Sequence, residues 1–152
     1  MADVFSREKR SLVMAAIKSK GNKETEMRLV EIFRLNGIKG WRRNQPLLGK
    51  PDFTFRKQNV LVFVDGCFWH CCPKHSRLPK SNRVYWQKKL KRNQVRDRAI
   101  TRAMQRRGWC VLRVWQHELR NERRLLLRVT GALARKSRTV HKQSNLRTAI
   151  RR

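Results

Sequence analysis

Apolar residues fall into stripes and runs separated by basic stretches, and their spacing changes along the chain. Between Lys23 and Asn36 they recur as Leu29, Val30, Ile32 and Phe33 ahead of Gly37, the three-to-four spacing of a helix closed by a glycine. Ser6 to Lys20, with Met14 and Ile17 among basic residues, reads as an earlier helix, and Lys20-Gly21-Asn22 as the turn between them. Alternation then takes over in Pro51-Asp52-Phe53-Thr54-Phe55-Arg56. Lys57-Gln58-Asn59 turns the chain into the unbroken run Val60 to Val64, which predicts a hairpin whose second strand is buried on both faces. Ser81 or Asn82 can cap a long helix ending near Arg107-Gly108. Its stripe Trp86, Leu90, Asn93, Asp97, Ile100, Met104 turns Asp97 inward with the apolar residues. Trp109 to Trp115 reads as a second, fully apolar strand and Glu118 to Ala134 as a further helix. Strand, helix, strand implies a parallel crossover and an α/β fold.

The 152 residues allow one compact domain, predicted over 1–135, and the 39% hydrophobic share suffices for a modest core. From Lys136 onward six Lys/Arg and no acid predict a basic tail, 136–152, disordered until it meets something anionic. Overall, 39 Lys+Arg against 10 Asp+Glu give +29, a field best neutralised by a polyanion, so nucleic acid is the expected partner. Charge alone does not separate an enzyme from a passive binder. No apolar run nears the roughly 20 residues that span a bilayer, which predicts a cytoplasmic protein without a membrane partner.

Gly66-Cys67-Phe68-Trp69-His70-Cys71-Cys72-Pro73-Lys74-His75 places thiols, imidazoles and an aromatic pair directly after the buried run. Thiolate and imidazole suit tetrahedral zinc, and Cys67, Cys71, Cys72, His70, His75 and His117 offer more than the four ligands a closed site needs. Spacing does not choose among them uniquely. Cys72-x2-His75 resembles a half-site, and parallel pairing of the two apolar strands would set His117 beside Cys67. The set Cys67, Cys72, His75, His117 would then staple two strand ends; Cys71 in place of Cys72, or unmetallated thiols in a basic loop, are the alternatives. Phe68 and Trp69 have reason to follow a strand into such a loop if they meet a flat partner, such as a nucleobase.

Between Ile32 and His117 the acidic residues are only three, Asp52, Asp65 and Asp97, amid 21 Lys/Arg. Asp52 and Asp65 would meet at one mouth of the sheet if the hairpin register permits, and paired carboxylates suit Mg²⁺. The plainer reading has each of them paired with a neighbouring arginine. A buried Asp97 needs a partner, and His70 would serve, because a carboxylate that orients an imidazole lets it accept a proton from water. Glu26 shares a stripe with Val30 and Phe33 and could face the sheet, although a solvated face fits its spacing equally.

These residues carry a resemblance. Over Ser11 to Leu119 the chain resembles the very-short-patch repair (Vsr-type) DNA mismatch endonucleases, through Ser11-x2-Met14-x2-Ile17, Gly49-Lys50-Pro51-Asp52, Asp65-Gly66-Cys67-Phe68-Trp69-His70, Tyr85-Trp86-x2-Lys89, Asn93-x2-Arg96-Asp97 and Gly108-Trp109-x-Val111-Leu112-x-Val114-Trp115. The resemblance implies a restriction-endonuclease-like fold, a mixed central sheet flanked by helices and stapled by Zn²⁺. It also implies a Mg²⁺-dependent nick 5′ to the thymine of a T·G mismatch left by deamination of 5-methylcytosine. Such an enzyme would act as a bacterial monomer on double-stranded DNA, beside a DNA cytosine-5 methyltransferase.

Carried onto this chain, the resemblance makes Asp52 the central Mg²⁺ ligand, the Val64 carbonyl a second contact and His70 the water-activating base. Asp97 becomes the partner of His70, Glu26 an outer acidic residue, and Asp65 occupies a position that is histidine in some members. Phe68, Trp69 and Trp86 look like an aromatic wedge entering the duplex, with Met14 arriving from the other groove; unstacking costs less at a mispair. Cys72, His75 and His117 depart from the His-x-Cys pair and the later cysteine of some members. Cys71 stands where glycine is common, and Gln116 replaces a frequent glutamate. Two rival readings keep part of this: a Mg²⁺ nuclease with another DNA specificity, and a zinc-stabilised DNA-binding module without chemistry.

Overall fold

A computed structural model describes the backbone of residues 22–149 and the side chains of 22 and 24–135. The predicted first helix, with Met14, lies outside the described residues. The fold is a mixed three-stranded sheet covered by helices on both faces.

The elements are α1 (Arg28–Leu35), β1 (Phe53–Phe55), β2 (Val60–Asp65), α2 (Arg83–Arg106), β3 (Cys110–Trp115) and α3 (Glu122–Ala149). A π-helical turn, Lys23–Met27, leads into α1, and a 3₁₀ turn, Gln116–Arg120, separates β3 from α3. Strand order is β1-β2-β3, with β1 antiparallel to β2 (Phe53 opposite Val62) and β3 parallel to β2 (Val60 opposite Cys110, Asp65 opposite Trp115). The crossover thus matches the expectation from the strand-helix-strand pattern.

The two-residue period of β2 sorts its side chains. Val60 and Val62 pack with Leu29, Ile32 and Phe33 of α1 and Leu125 and Val129 of α3, while Leu61 and Phe63 pack with Met104 and Ile100 of α2. Phe33 meets Phe53 and Phe55 edge to face at 5.1 and 5.9 Å between ring centroids. Every residue of β2 but Val64 is buried, as an unbroken apolar run requires. Asp65 continues the Leu61-Phe63 alternation and therefore faces α2, which decides what it can touch.

Three boundaries differ from the sequence reading. β3 carries Arg113 in mid-strand, so it is not the fully apolar strand predicted, and only Val114 in it is buried. The helix expected from Glu118 begins instead at Glu122, where Asn121 Oδ1 accepts from the Arg124 N–H at 3.2 Å and caps it. α3 runs on to Ala149, so the backbone of 136–149 is helical where a disordered tail was predicted. That stretch has no Pro or Gly to stop a helix already begun, and extending one is easier than nucleating it.

Gly49 shows why its motif needs a glycine. Its φ is +80°, and an added Cβ would fall 2.4 Å from Ile100 Cγ2, so Gly49-Lys50-Pro51 closes on α2 just before Asp52.

Candidate active site

α2 supplies one member of the first candidate pair. Asp97, on the inward stripe with Trp86, Leu90 and Met104, reaches His70, and its Oδ2 lies 2.6 Å from His70 Nδ1. Burial alone would raise the Asp97 carboxyl, but the His70 hydrogen bond, the His70 charge, Arg113 and Arg96 outweigh it and hold the group below its ordinary value. An ionised carboxylate can only accept, so Nδ1 carries the proton, and in the neutral form of the ring the lone pair is on Nε2. The pair lines an open cavity of about 450 Å³ with Asp65, Cys71, Arg113 and the α2 residues Gln94, Arg98 and Arg102.

Asp52, immediately before β1, accepts from the Val64 N–H through Oδ2 at 2.7 Å, which ties the hairpin ends together. Burial raises its carboxyl to about 7; the Val64 bond opposes this, and the charges of Glu26 and Asp65 with a Glu26 side-chain hydrogen bond add to it. Glu26 comes from the π-helical turn rather than from α1 proper, is 7% exposed, and meets Arg43 Nη2 at 2.6 Å. The sheet-facing alternative for Glu26 is therefore the one adopted. Two acids sharing a buried site, one holding a proton near neutrality, make a donor set that a hard divalent cation fits.

Asp65 follows the plainer reading. Both its oxygens are held by Arg113, Nε to Oδ2 and Nη2 to Oδ1, each at 2.6 Å, and its side chain is 4% exposed. It also lies 3.6 Å from His70 Nδ1. Arg113 stays charged, since burial lowers its proton affinity less than Asp65, Asp97 and Asp52 raise it. The sequence reading missed Arg113 and Arg43; the lone charge in an otherwise apolar β3 was the available signal for the first.

At the same sheet end, Cys67, Cys72, His75 and His117 bring one ligand atom each within 4.8 Å of one another. Cys67 Sγ lies 3.3 Å from His117 Nδ1, and Cys72 Sγ lies 3.6 and 3.5 Å from Nδ1 of His75 and His117. A tetrahedral zinc with ordinary Zn–S and Zn–N lengths would separate S and N by about 3.6 Å, so the spacing fits that ion. Burial first, then the His75 charge, lowers His117, a shift toward the neutral form a ligand needs. Burial raises the Cys67 thiol, a cost that a bound dication would reverse. Cys71 is not in the group; its φ of 57° is the left-handed conformation that favours glycine, and the turn it makes sends His70 and Cys72 to different partners.

The aromatics gather on α2. Phe68 lies 5.2 Å from Trp69 and 5.4 Å from Trp86, and Tyr85 lies 5.4 Å from Trp86. Lys89 Nζ sits over Trp69, Tyr85 and Trp86 at 5.4 to 5.5 Å from their centroids. Asn93 Nδ2 donates to the Trp69 carbonyl at 3.1 Å and fixes the loop to the helix. Trp86 is 7% exposed beneath the others, while Tyr85 is exposed and Phe68 and Trp69 are half-buried, so these three form the outer surface of the aromatic cluster. Trp41 and Trp109 are half-buried and pack against the core, and Trp115 is half-buried at the end of β3.

Comparison with known proteins gives the chain's relatives. A family described as DNA mismatch endonuclease Vsr matches residues 2–76. The chain is 38% identical over 119 residues to the Type II nicking enzyme V.NmeDIP of Neisseria meningitidis serogroup C, covering 77% of this chain and 80% of that one. It is 32% identical over 126 residues to the DNA mismatch endonuclease Vsr of Escherichia coli, covering 82% and 80%. A shorter match, 54% over 69 residues, links it to the Type II nicking enzyme V.NaeI of Lentzea aerocolonigenes and spans 45% of this chain and 42% of that relative. Among the described residues no helix is long and apolar enough to cross a membrane.

Proposed function

The chain belongs to the Vsr family of DNA mismatch endonucleases, and from that premise we propose that it nicks one strand of a DNA duplex 5′ to the thymine of a T·G mispair. The observation that carries the reading is the 2.6 Å Asp97–His70 pair, with Asp65 3.6 Å from the same imidazole nitrogen and its charge felt by the buried Asp52. A binding module has no use for an imidazole oriented by a carboxylate, whereas phosphodiester hydrolysis needs a proton acceptor and a place for a divalent cation.

In this reading His70 Nε2 takes a proton from the attacking water while Asp97 holds the ring and stabilises the positive charge it acquires. Asp52 and the Val64 carbonyl would hold Mg²⁺, with Glu26 as an outer acid. The chemistry that cation supplies there is polarisation of the scissile phosphate and neutralisation of its developing charge. Asp65 serves through Arg113 rather than as a metal ligand. Zn²⁺ on Cys67, Cys72, His75 and His117 would staple a restriction-endonuclease-like fold. Phe68 and Trp69, backed by Trp86, would enter the duplex at the mispair, where unstacking is cheapest, with Met14 from the opposite groove.

The proposed unit is a monomeric nuclease domain over 1–135, with the basic stretch 136–152 adding affinity for any DNA. Its setting is the bacterial cytoplasm, where a DNA cytosine-5 methyltransferase creates the methylated base whose deamination yields the lesion. Relatives named as Type II nicking enzymes favour a second reading, the same nuclease acting in a different DNA context. End-labelled duplexes carrying T·G in varied contexts, beside C·G controls, test both with Mg²⁺ present. Nicking only 5′ to the mispaired thymine supports the repair reading; nicking of matched duplexes leaves a nuclease of other specificity, and binding without a nick refutes the enzyme.

A further inference from the structure

His70 Nδ1 has two carboxylates within reach, Asp97 Oδ2 at 2.6 Å and Asp65 Oδ1 at 3.6 Å. They approach from different elements, Asp97 from α2 and Asp65 from the end of β2, so the acceptor chosen sets the ring's orientation. Moving the Nδ1–H from one to the other would swing Nε2 away from its place in the cavity. What separates them is Arg113. Its Nε and Nη2 engage both oxygens of Asp65 at 2.6 Å, while Nη2 stands 3.6 Å from Asp97 Oδ1. A bidentate guanidinium takes one lone pair on each oxygen of Asp65 and neutralises its charge, which leaves Asp97 the stronger acceptor for the imidazole N–H.

We infer that Arg113 is a positioning residue: by locking Asp65 it directs the His70 Nδ1–H to Asp97 and holds Nε2 toward the reacting phosphate. The sheet makes this possible. Asp65 and Arg113 lie on adjacent parallel strands, two positions apart in register, and both continue the faces directed at α2. The guanidinium is itself held, with its carbon 5.0 Å from the Phe63 ring centroid, Nη1 at 3.5 Å from Thr101 Oγ1, and the strand carbonyl of Arg113 accepting from Arg128 Nη2 at 3.0 Å. Those contacts fix its planar fork where a lysine's single ammonium could not grip both oxygens. Arg96, which lies 3.5 Å from Asp97 Oδ1, is far more exposed and does not touch Asp65 in this way.

This inference rests on the reading of His70 as the base, so its test pairs turnover with a measurement that needs no turnover. Zinc-loaded full-length protein is compared as wild type, Arg113→Met, Arg113→Lys and the double variant Asp65→Leu with Arg113→Met. Single-turnover nicking is measured on a T·G duplex, and the His70 Nδ1–H resonance is followed by nitrogen-edited NMR. Arg113→Met should lose about a hundredfold in the single-turnover nicking rate, the scale of a catalytic group misplaced by an ångström, with the duplex concentration that gives half the maximal rate unchanged. Its Nδ1–H signal should split or broaden as two acceptors compete. Arg113→Lys should recover part of the rate, and the double variant, lacking the second acceptor, should regain a single signal and most of the rate.

A wild-type rate and an unchanged His70 signal in Arg113→Met would overturn the inference, as would a double variant no better than the single one. If wild type fails to nick while the His70 signal responds to Arg113 as described, the nuclease reading fails and the positioning geometry stands.

Discussion

Asp52→Asn separates the electrostatic cost of the acidic pair from everything else at the site. The Asp52 carboxyl rises from 3.8 to about 7 in the folded chain, chiefly through burial. A folded value above the unfolded one means that folding favours the protonated form. Its contribution is therefore fully present below the unfolded value and is lost as pH rises toward the folded one. The whole effect, taken across that window, is about 4 kcal/mol, and between about pH 5.5 and about pH 8 it amounts to about 2 kcal/mol. Asparagine has no charge to desolvate, and its carbonyl oxygen can keep the bond from the Val64 N–H.

The assay is urea unfolding of zinc-loaded wild type and Asp52→Asn in Mg²⁺-free buffers, followed across that pH range. All other titrating groups are common to the two proteins, so the difference between their stabilities isolates Asp52. The variant should gain on wild type steadily as pH rises, by about 2 kcal/mol over the range, while its nicking is abolished. Parallel stability profiles would refute the claim that Asp52 is buried against Glu26 as an uncompensated acid. Unaltered nicking would refute its place in the reaction.

Further expectations follow from other contacts. Asp97→Asn removes the ionised acceptor that fixes the His70 tautomer and should lower the nicking rate by about a hundredfold to ten-thousandfold, with the dissociation constant for the duplex unchanged. His117→Ala deletes one of four convergent ligands; wild type should carry about one zinc per chain by elemental analysis, and the variant should lose both the metal and much of its thermal stability. Gly49→Ala drives a methyl into Ile100 at a positive φ and should destabilise by about 1 to 3 kcal/mol in urea unfolding; wild-type stability would show that the loop can move away from α2.

Much of this arrangement could be read from one-dimensional pattern. The run Val60 to Val64 specified a central strand, the three-and-four stripe put Asp97 on the inward face of α2, and the parallel crossover brought His117 to Cys67. What pattern could not supply was the pairing of charges across strands. Asp65 could serve a metal or an arginine with the same sequence, and the choice fell to register: β3 places Arg113 on the same face two positions back. Reading β3 as wholly apolar concealed the residue that decides it. Glu26 was equally open from spacing, because its direction depends on a π-helical turn that shifts the stripe by part of a residue. The Asn121 cap and the 3₁₀ turn before it escaped for a related reason, since Glu118 fits a helix start until its carboxylate is seen accepting from the Trp115 N–H at 2.8 Å.

The stretch Asp65 to Cys72 behaves like a connector whose pins cannot be reassigned. Asp65 is wired to β3, Cys67 and Cys72 to the His117 turn, the Trp69 carbonyl and His70 to α2, and the left-handed Cys71 turns the chain between the last two connections. One residue inserted anywhere within it would misroute every later connection at once. For protein engineering this makes it a non-modular part. Changes to it are confined to substitutions at constant length, because each connection sits at a fixed spacing along the loop.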